Sequence, residues 1–218
     1  MWIVLGLITF YGILRRKNKN QVCGHEKEVD MKILILYDST ATDDNGVNWL
    51  SLLLTNLDSD YCIQTVLLDS REIKPCIGCF SCWTKTPGTC VITNDNANLI
   101  SSSYINADKV VLLSRVTYGG YSADTKAFLD RSIINISPFF TVKSGEMHHQ
   151  KRYLKYPDLI AFGYGDMTDD ERDTFMELSK RNALNLHPPK HIAFTVRNQN
   201  EIMQVIQDLR IFMAKEAI

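Results

Sequence analysis

The 218-residue sequence lacks a surplus of charge of either sign, since 24 Lys and Arg are balanced by 25 Asp and Glu. Proteins that bind nucleic acids usually carry a basic surplus, so this balance argues against nucleic acid as a partner. The six cysteines are too few for a disulfide scaffold of this length. Apolar residues make up 45% of the chain, which excludes a largely disordered protein. The composition therefore predicts a globular protein with a full hydrophobic core.

The first 30 residues lack the features of a secretory signal or of a membrane-spanning helix. Residues 2–14 are almost all apolar, but a helix that spans a membrane needs about 20 such residues. The basic residues 15–17 follow this run, whereas a secretory signal carries its basic residues first. We therefore predict that residues 1–30 are an extension outside the fold and that the functional protein begins at Met31. A weak membrane anchor is the alternative. Without a secretory signal, the expected location is the cytoplasm.

Beyond Met31, short apolar runs alternate with helical patterns. Five runs are continuous rather than alternating, as is typical of parallel strands buried on both faces: 32–37, 62–68, 109–114, 159–163 and 191–196. Helical patterns cover 48–56, 97–105 and 123–134, and two more begin at Thr168 and after Asn200. This alternation predicts a three-layer, doubly wound α/β domain over residues 31–218. Five strands favour the flavodoxin-like order 2-1-3-4-5.

In such sheets, ligands bind beyond the carboxyl ends of the strands, next to strand one. The loop after strand one leads into a helix N-terminus, which suits a phosphate group. This loop offers hydroxyl and amide groups from Ser39, Thr40, Thr42 and Asn45. A solvated loop is the alternative, because the neighbouring Asp43 and Asp44 would repel a phosphate.

Four cysteines lie close together in the sequence: Cys76, Cys79, Cys82 and Cys90. In a reducing compartment, such spacing indicates thiolate ligation of an iron-sulfur cluster or of zinc. The alternative is a loop without a metal, in which the cysteines act as small apolar residues or as redox thiols. Phe80 and Trp83 would then anchor the loop.

One further segment has an open interpretation, and two smaller groups of residues have simple ones. Residues 135–157 are long for a connection and are either a lid or dimer arm over the ligand, or a surface excursion packed by its own aromatic side chains. Lys126 and Asp130 have the spacing of an ion pair on a helix. His148 and His149 adjoin Glu146, but adjacent side chains diverge, so a metal site is not expected there.

Three segments together carry a family resemblance. The first runs from residue 75 to 95 and contains the four cysteines. The second joins residues 107–108 to the run 117–122, to Lys126 and to residues 130–131, and the third joins 145–149 to 152–153. Together they resemble the NAD(P)H-dependent FMN reductase branch of the flavodoxin-like superfamily, which includes the iron-sulfur flavoproteins. The resemblance extends from residue 31 to about residue 196. The phosphate loop lacks the Gly-Asn-Thr ending usual in this family, and Arg115 stands where a proline is common.

The resemblance implies FMN beside strand one, with residues 39–48 on its phosphate. A second loop would lie along the isoalloxazine ring, where glycines permit close backbone approach. The residues of this ring loop are Val116, Thr117, Tyr118, Gly119, Gly120, Tyr121 and Ser122. In the iron-sulfur flavoproteins a similar cysteine motif holds a [4Fe-4S] cluster, so the four cysteines become its implied ligands.

The implied function is an oxidoreductase in which NAD(P)H reduces FMN and the electrons pass to a quinone or another small acceptor. No catalytic side chain is expected, because the cofactor carries the chemistry. One alternative is an electron-transfer flavoprotein with a [4Fe-4S] cluster that works with a redox partner protein. Another is a flavodoxin-fold binding module whose FMN site is degenerate. The resemblance further implies a homodimer or homotetramer.

Overall fold

The computed structural model describes residues 21–22, 31–41, 47–57 and 61–214. Its strands are β1 (Gln21–Val22), β2 (Lys32–Asp38), β3 (Cys62–Leu68), β4 (Lys109–Thr117), β5 (Gly120–Tyr121), β6 (Ile136–Lys143), β7 (Glu146–Lys151), β8 (Asp158–Tyr164) and β9 (His191–Val196). Its helices are α1 (Trp49–Asn56), α2 (Ser81–Thr84), α3 (Ala97–Asn106), α4 (Ala123–Arg131), α5 (Asp169–Leu186) and α6 (Gln199–Met213). A 3-10 turn, Ser132–Asn135, extends α4.

Five parallel strands form the sheet in the order β3-β2-β4-β8-β9. This is the predicted order 2-1-3-4-5, and it confirms the flavodoxin-like fold. The central strand β2 pairs on both sides, with Ile35 opposite Thr65 of β3 and Val111 of β4. The short strand β5 turns back on the end of β4, and β6 and β7 form a separate hairpin.

The core lies on both faces of the sheet. Ile33 and Ile35 of β2 belong to one face, where Trp49 of α1 is fully buried and α6 contributes four further buried side chains. Leu34 and Leu36 belong to the other face, where they join Phe128 of α4 in one core cluster. Burial on both faces explains why each central strand is a continuous apolar run. The predicted three-layer arrangement is therefore confirmed.

The long segment 135–157 is not an irregular connection. Residues 136–151 within it form the β6–β7 hairpin. Its turn is made by Ser144 and Gly145, both with positive φ angles (54° and 81°). Such angles are typical of two-residue hairpin turns. The strand pattern is weak here, because β7 consists mostly of polar residues and half of its residues are exposed.

Two expectations remain predictions: that residues 1–30 lie outside the fold, and that the protein is cytoplasmic. Gln21 and Val22 pair antiparallel with β3, and the other residues of 1–30 lie outside the described residues. No helix within the described part of the chain is both long and apolar enough to cross a membrane. The cytoplasmic location stays a prediction.

A buried and a half-buried histidine give the fold a pH dependence. His187 ends α5 with a left-handed backbone (φ 59°), and its Nε2 donates to the carbonyl of His149 at 2.6 Å. Burial lowers the pKa of His187, and burial also lowers the pKa of His191. The unfolded chain therefore binds protons that the folded chain resists. This contribution to stability is present above the ordinary histidine pKa of 6.5 and is lost as the pH falls.

We expect the melting temperature to fall between about pH 8 and pH 5, and His187→Asn to flatten this dependence. Asparagine tolerates the left-handed backbone at a helix end, so the variant should fold. Calorimetry at several pH values measures both slopes. A slope of His187→Asn equal to that of the unchanged protein would contradict the assignment.

Candidate functional site

A buried carboxylate joins three strands at the carboxyl edge of the sheet. Asp38 ends β2 and is fully buried. Its Oδ2 accepts from the backbone N–H of Arg115 on β4 at 2.6 Å, and its Oδ1 accepts from the Tyr164 hydroxyl on β8. Thr40 also donates to Oδ1, from its backbone N–H at 3.2 Å and from its hydroxyl at 3.0 Å. Burial and the nearby charge of Asp38 raise the pKa of Tyr164, so its hydroxyl stays a donor.

A second carboxylate joins the loops after β2 and β3 to the start of α4. Asp124 lies in the first turn of α4, and only 8% of it is exposed. Its Oδ2 accepts from the backbone N–H of Ser39 at 3.0 Å and from the Ser39 hydroxyl, and its Oδ1 accepts from the Ser70 N–H at 2.7 Å. Burial alone would raise the pKa of Asp124, but these hydrogen bonds lower it overall. The carboxylate is therefore held ionised.

Two of the four predicted phosphate-binding residues lie at this edge. The hydroxyls of Ser39 and Thr40 donate to Asp124 and Asp38 respectively. Thr42 and Asn45 lie outside the described residues. The loop leads into the N-terminus of α1, as predicted, where the Asn48 side chain accepts from the backbone N–H of Ser51 at 2.8 Å. Helix N-termini favour anions, although here the N–H of Trp49 also donates to the Ala41 carbonyl at 2.9 Å.

The predicted ring loop is a tight turn between β4 and β5. Val116 pairs with Tyr121, and Thr117 pairs with Gly120. The tip has positive φ angles at Tyr118 (50°) and Gly119 (74°), and Tyr118 is 91% exposed. The last residue of the loop, Ser122, caps α4 by accepting from the Thr125 N–H at 3.3 Å.

The two glycines of this turn differ in the space around them. A Cβ at Gly119 would lie 2.7 Å from the Cβ of Thr174 on α5, whereas the nearest atom to a Cβ at Gly120 would be the Thr117 carbonyl oxygen at 3.5 Å. Gly119 therefore packs the turn against α5, and Gly120 leaves open space beside the backbone. A fixed turn with open backbone and an exposed aromatic side chain fits the flat isoalloxazine ring of FMN.

The cysteine loop, residues 76–90, contains left-handed backbone but does not form a complete metal site. Gly78 and Phe80 have positive φ angles (63° and 55°). The thiols are divided in exposure: Cys76 and Cys79 are exposed, and Cys82 and Cys90 are buried. Across residues 31–41, 47–57 and 61–214, no three Cys, His, Asp or Glu side chains are grouped so as to hold a metal ion. Thiols are the donors that an iron-sulfur cluster requires, but in the described part of the chain these four are not grouped as a set that holds one.

One buried ion pair fastens both ends of the cysteine loop. Arg131 and Asp95 are 2.7 Å apart, and their side chains are 1% and 0% exposed. Arg131 also donates to the carbonyls of Lys74, before Cys76, at 2.8 Å and of Ile92, after Cys90, at 3.1 Å. The sequence pointed to Arg131 as part of a family segment but not to this pairing. The predicted ion pair of Lys126 with Asp130 is present at 2.6 Å.

Further contacts hold the cysteine loop from within. The Asn98 side chain accepts from the Cys90 N–H at 2.9 Å and donates to the Cys90 carbonyl at 3.0 Å. Trp83 Nε1 donates to the Ile136 carbonyl at 3.1 Å, and its ring lies 4.8 Å from that of His149. The hairpin therefore packs on the cysteine loop.

The comparisons with known proteins agree with this geometry. Residues 31–154, more than half of the chain, match the family of the NADPH-dependent FMN reductases. The chain belongs to this family. The matched region contains the carboxyl edge of β2 and β4, the cysteine loop and the β6–β7 hairpin. Both predicted sites lie within the matched region.

Among curated relatives of this family member, an iron-sulfur flavoprotein of Methanocaldococcus jannaschii is 39% identical over 69 residues, which are 32% of this chain and 34% of the relative. The chain thus spans about a third of that relative's length.

Among solved structures, the NAD(P)H:quinone oxidoreductase from Methanothermobacter marburgensis has a TM-score of 0.63 and 9% identity, covering 86% of this chain and 99% of that chain. An FMN-dependent NADH-azoreductase from Bacillus anthracis, solved with FMN, has a TM-score of 0.55 and 14% identity, covering 85% and 100%. At these identities the likeness shows the shared fold alone.

Proposed function

We propose that this protein is a flavin-dependent oxidoreductase that binds FMN, accepts reducing equivalents from NAD(P)H and passes them to a quinone or another small acceptor. The observation that carries the proposal is the fixed, open turn at Tyr118 and Gly119, which stands at the switch point of the sheet. Family membership and the activities after which the two structurally similar proteins are named support it. Bound FMN would supply the hydride and electron chemistry.

In this proposal, the chain's own residues bind and orient the cofactor. The backbone of 117–120 and the exposed Tyr118 would support the ring. Thr42 and Asn45 would hold the phosphate at the N-terminus of α1. Ser39 and Thr40, whose N–H and hydroxyl groups donate to Asp124 and Asp38, would keep this loop in place. Asp38 and Asp124 position the loop that carries Ser39 and Thr40, because each accepts hydrogen bonds from it.

The glycine pair of the turn provides the test. We expect Gly120→Ala to keep the melting temperature and to weaken FMN binding by about tenfold, because its methyl group would occupy the space beside the ring. Gly119→Ala should instead destabilise the fold by about 1–2 kcal/mol, since it combines a left-handed backbone with the Thr174 clash. FMN fluorescence titration measures the affinity, and calorimetry measures the melting temperature and the loss of stability. NAD(P)H oxidation measures the activity.

If Gly120→Ala binds FMN as tightly as the unchanged protein does, the ring does not lie beside Gly120. An unchanged protein that neither binds FMN nor oxidises NAD(P)H would reject the enzyme and favour a flavodoxin-fold binding module.

A second candidate function is an electron-transfer flavoprotein with a [4Fe-4S] cluster on the cysteine loop and a redox partner protein. The specific support is that one buried ion pair holds both ends of a loop with four cysteines. The curated relative is named an iron-sulfur flavoprotein.

If the cluster is present, Cys79→Ser should lower the iron content of anaerobically purified protein several-fold, because one thiolate ligand is lost. Ile77→Val is the matched control, since Ile77 is exposed within the same loop. Iron and sulfide analysis measures the result. Iron-free unchanged protein, or equal iron in Cys79→Ser, would exclude this cluster.

The proposed assembly is a homodimer or homotetramer. The β6–β7 hairpin exposes Phe139, Phe140, Val142 and Met147, each between 58% and 72%. Exposed apolar side chains grouped on one hairpin favour a protein interface. This supports the dimer-arm interpretation of the segment.

A further inference from the structure

A cavity of about 350 Å³ lies beside α3, and we call it the α3 cavity. One face of the helix lines it with Ser101, Ser102 and Asn106, and Asn135 of the 3-10 turn and Tyr153 also line it. None of its lining residues, which all belong to the described part of the chain, is charged. Its volume is at the lower end of the range for small-molecule sites, about 300–1,000 Å³, and far exceeds the space of one water molecule, about 30 Å³.

The α3 cavity lies at the opposite end of the sheet from the proposed FMN site. Asp108, just beyond the end of α3, donates its backbone N–H to the carbonyl of Lys32, the first residue of β2, at 2.9 Å. The proposed FMN site adjoins Asp38, the last residue of β2. The length of this strand separates the two places by roughly 20 Å. Neither the ring loop, residues 116–122, nor any of the four cysteines lines the cavity.

Two buried polar groups of the lining have no partner among the described residues. Ser101 is 1% exposed, and its hydroxyl makes no hydrogen bond. Asn135 is 3% exposed, and its Nδ2 donates to no acceptor, although its backbone carbonyl accepts from the Tyr156 hydroxyl at 2.6 Å. Buried polar groups in folded proteins are almost always hydrogen-bonded. Two exceptions on one cavity therefore indicate ligand atoms that complete them.

The lining determines the chemistry of this ligand. A serine hydroxyl both donates and accepts, and an asparagine amide nitrogen donates, so ligand hydroxyl groups can pair with both unpartnered groups. Ile105 and Ile134 also line the cavity and offer an apolar wall to the C–H face of a ring. An ionic ligand would find no opposite charge on this lining, and burying an unpaired charge is costly.

We propose that the α3 cavity binds a neutral, polyhydroxylated compound of the size of a monosaccharide. The Ser101 hydroxyl and the Asn135 amide each form a hydrogen bond with a ligand hydroxyl, and the two isoleucines contact the carbon face of the ring. This site goes beyond the proposed oxidoreductase function, and its occupation requires neither FMN nor NAD(P)H.

The test uses D-glucose as the probe and nuclear magnetic resonance as the measurement. Full-length, ¹⁵N-labelled protein without FMN is titrated to millimolar probe concentrations. We expect saturable shifts of the Asn135 side-chain NH₂ signals and of the Ser101 backbone signal. Cyclohexanol, with the same ring size and a single hydroxyl, is the control probe. It should bind at least about tenfold more weakly, because it cannot pair with both groups at once.

Three variants complete the test. Ser102→Phe places a ring in the cavity and should abolish the glucose shifts at Asn135, whereas Leu99→Phe, at a 69% exposed position of α3 outside the lining, should not. Ser101→Ala should weaken glucose binding about 3- to 10-fold, the value of one hydrogen bond. The melting temperature of probe-free Ser101→Ala should not fall, because its hydroxyl has no partner to lose.

Four outcomes would overturn the proposal. Without saturable shifts at Ser101 and Asn135, the cavity holds water only. Equal binding of cyclohexanol would show that the ligand hydroxyls are not recognised. A lower melting temperature of Ser101→Ala would mean that the hydroxyl serves the fold. Signals that shift with protein concentration in the absence of probe would mean that a second copy of the chain covers the cavity. Saturable glucose shifts in FMN-free protein would support the site even if the chain proves not to oxidise NAD(P)H.

Discussion

Replacing Arg131 with methionine is expected to lower the free energy of unfolding by about 3–5 kcal/mol. The change leaves the buried carboxylate of Asp95 without its cation, and it removes the donors to the Lys74 and Ile92 carbonyls. Since these carbonyls flank the four cysteines, the loop between them should also loosen. Urea unfolding measures the stability, and the rate at which a thiol reagent labels buried Cys90 measures the loosening.

The neighbouring ion pair on the same helix is the matched control. Lys126→Met removes the ion pair with Asp130, in which the two side chains are 59% and 48% exposed. It should lower the free energy of unfolding by no more than about 0.5 kcal/mol. A double variant, Arg131→Met with Asp95→Asn, should regain part of the loss because no unpaired charge stays buried. A loss below about 1 kcal/mol in Arg131→Met would show that the pair does not fasten the loop.

The sheet could be predicted because its signals are local. Each central strand is covered on both faces, so residues such as Ile33 and Leu36 form continuous apolar runs. The start of α5 was visible for the same reason: the capping box of Thr168 and Glu171 lies within one turn. The hairpin was not visible, since β7 lacks the alternation of apolar and polar residues that marks a half-buried strand.

The candidate site was only partly predictable, because its main contacts join distant segments. Ser39 and Thr40 could be found from the loop after strand one. Asp124 could not be found in this way, because the helix dipole explains an acidic residue in the first turn of α4 equally well. Its partners Ser39 and Ser70 are 85 and 54 residues away in the sequence. The meeting of two loops and a helix start on one carboxylate therefore became apparent only from the folded chain.

Replacing Asp124 with alanine should lower the free energy of unfolding by about 2–4 kcal/mol, because the N–H groups of Ser39 and Ser70 lose a charged acceptor. The loop that carries Ser39 then loses its attachment to α4. FMN affinity should fall by at least about tenfold, the equivalent of one lost hydrogen bond. Urea unfolding and FMN titration measure the two effects.

The contribution of Asp124 has a definite pH dependence and a matched control. Its pKa is lowered in the fold, so its stabilising effect is present above the ordinary value of 3.8 and is lost as the pH falls through the lowered pKa. The stability difference between the unchanged protein and Asp124→Ala should therefore shrink in acid. Asp130→Ala removes a half-exposed carboxylate from the same helix and should change stability by no more than about 0.5 kcal/mol. Equal FMN affinities for Asp124→Ala and Asp130→Ala would mean that the Ser39 loop does not hold the phosphate, whereas a loss confined to Asp124→Ala would assign that role to the loop.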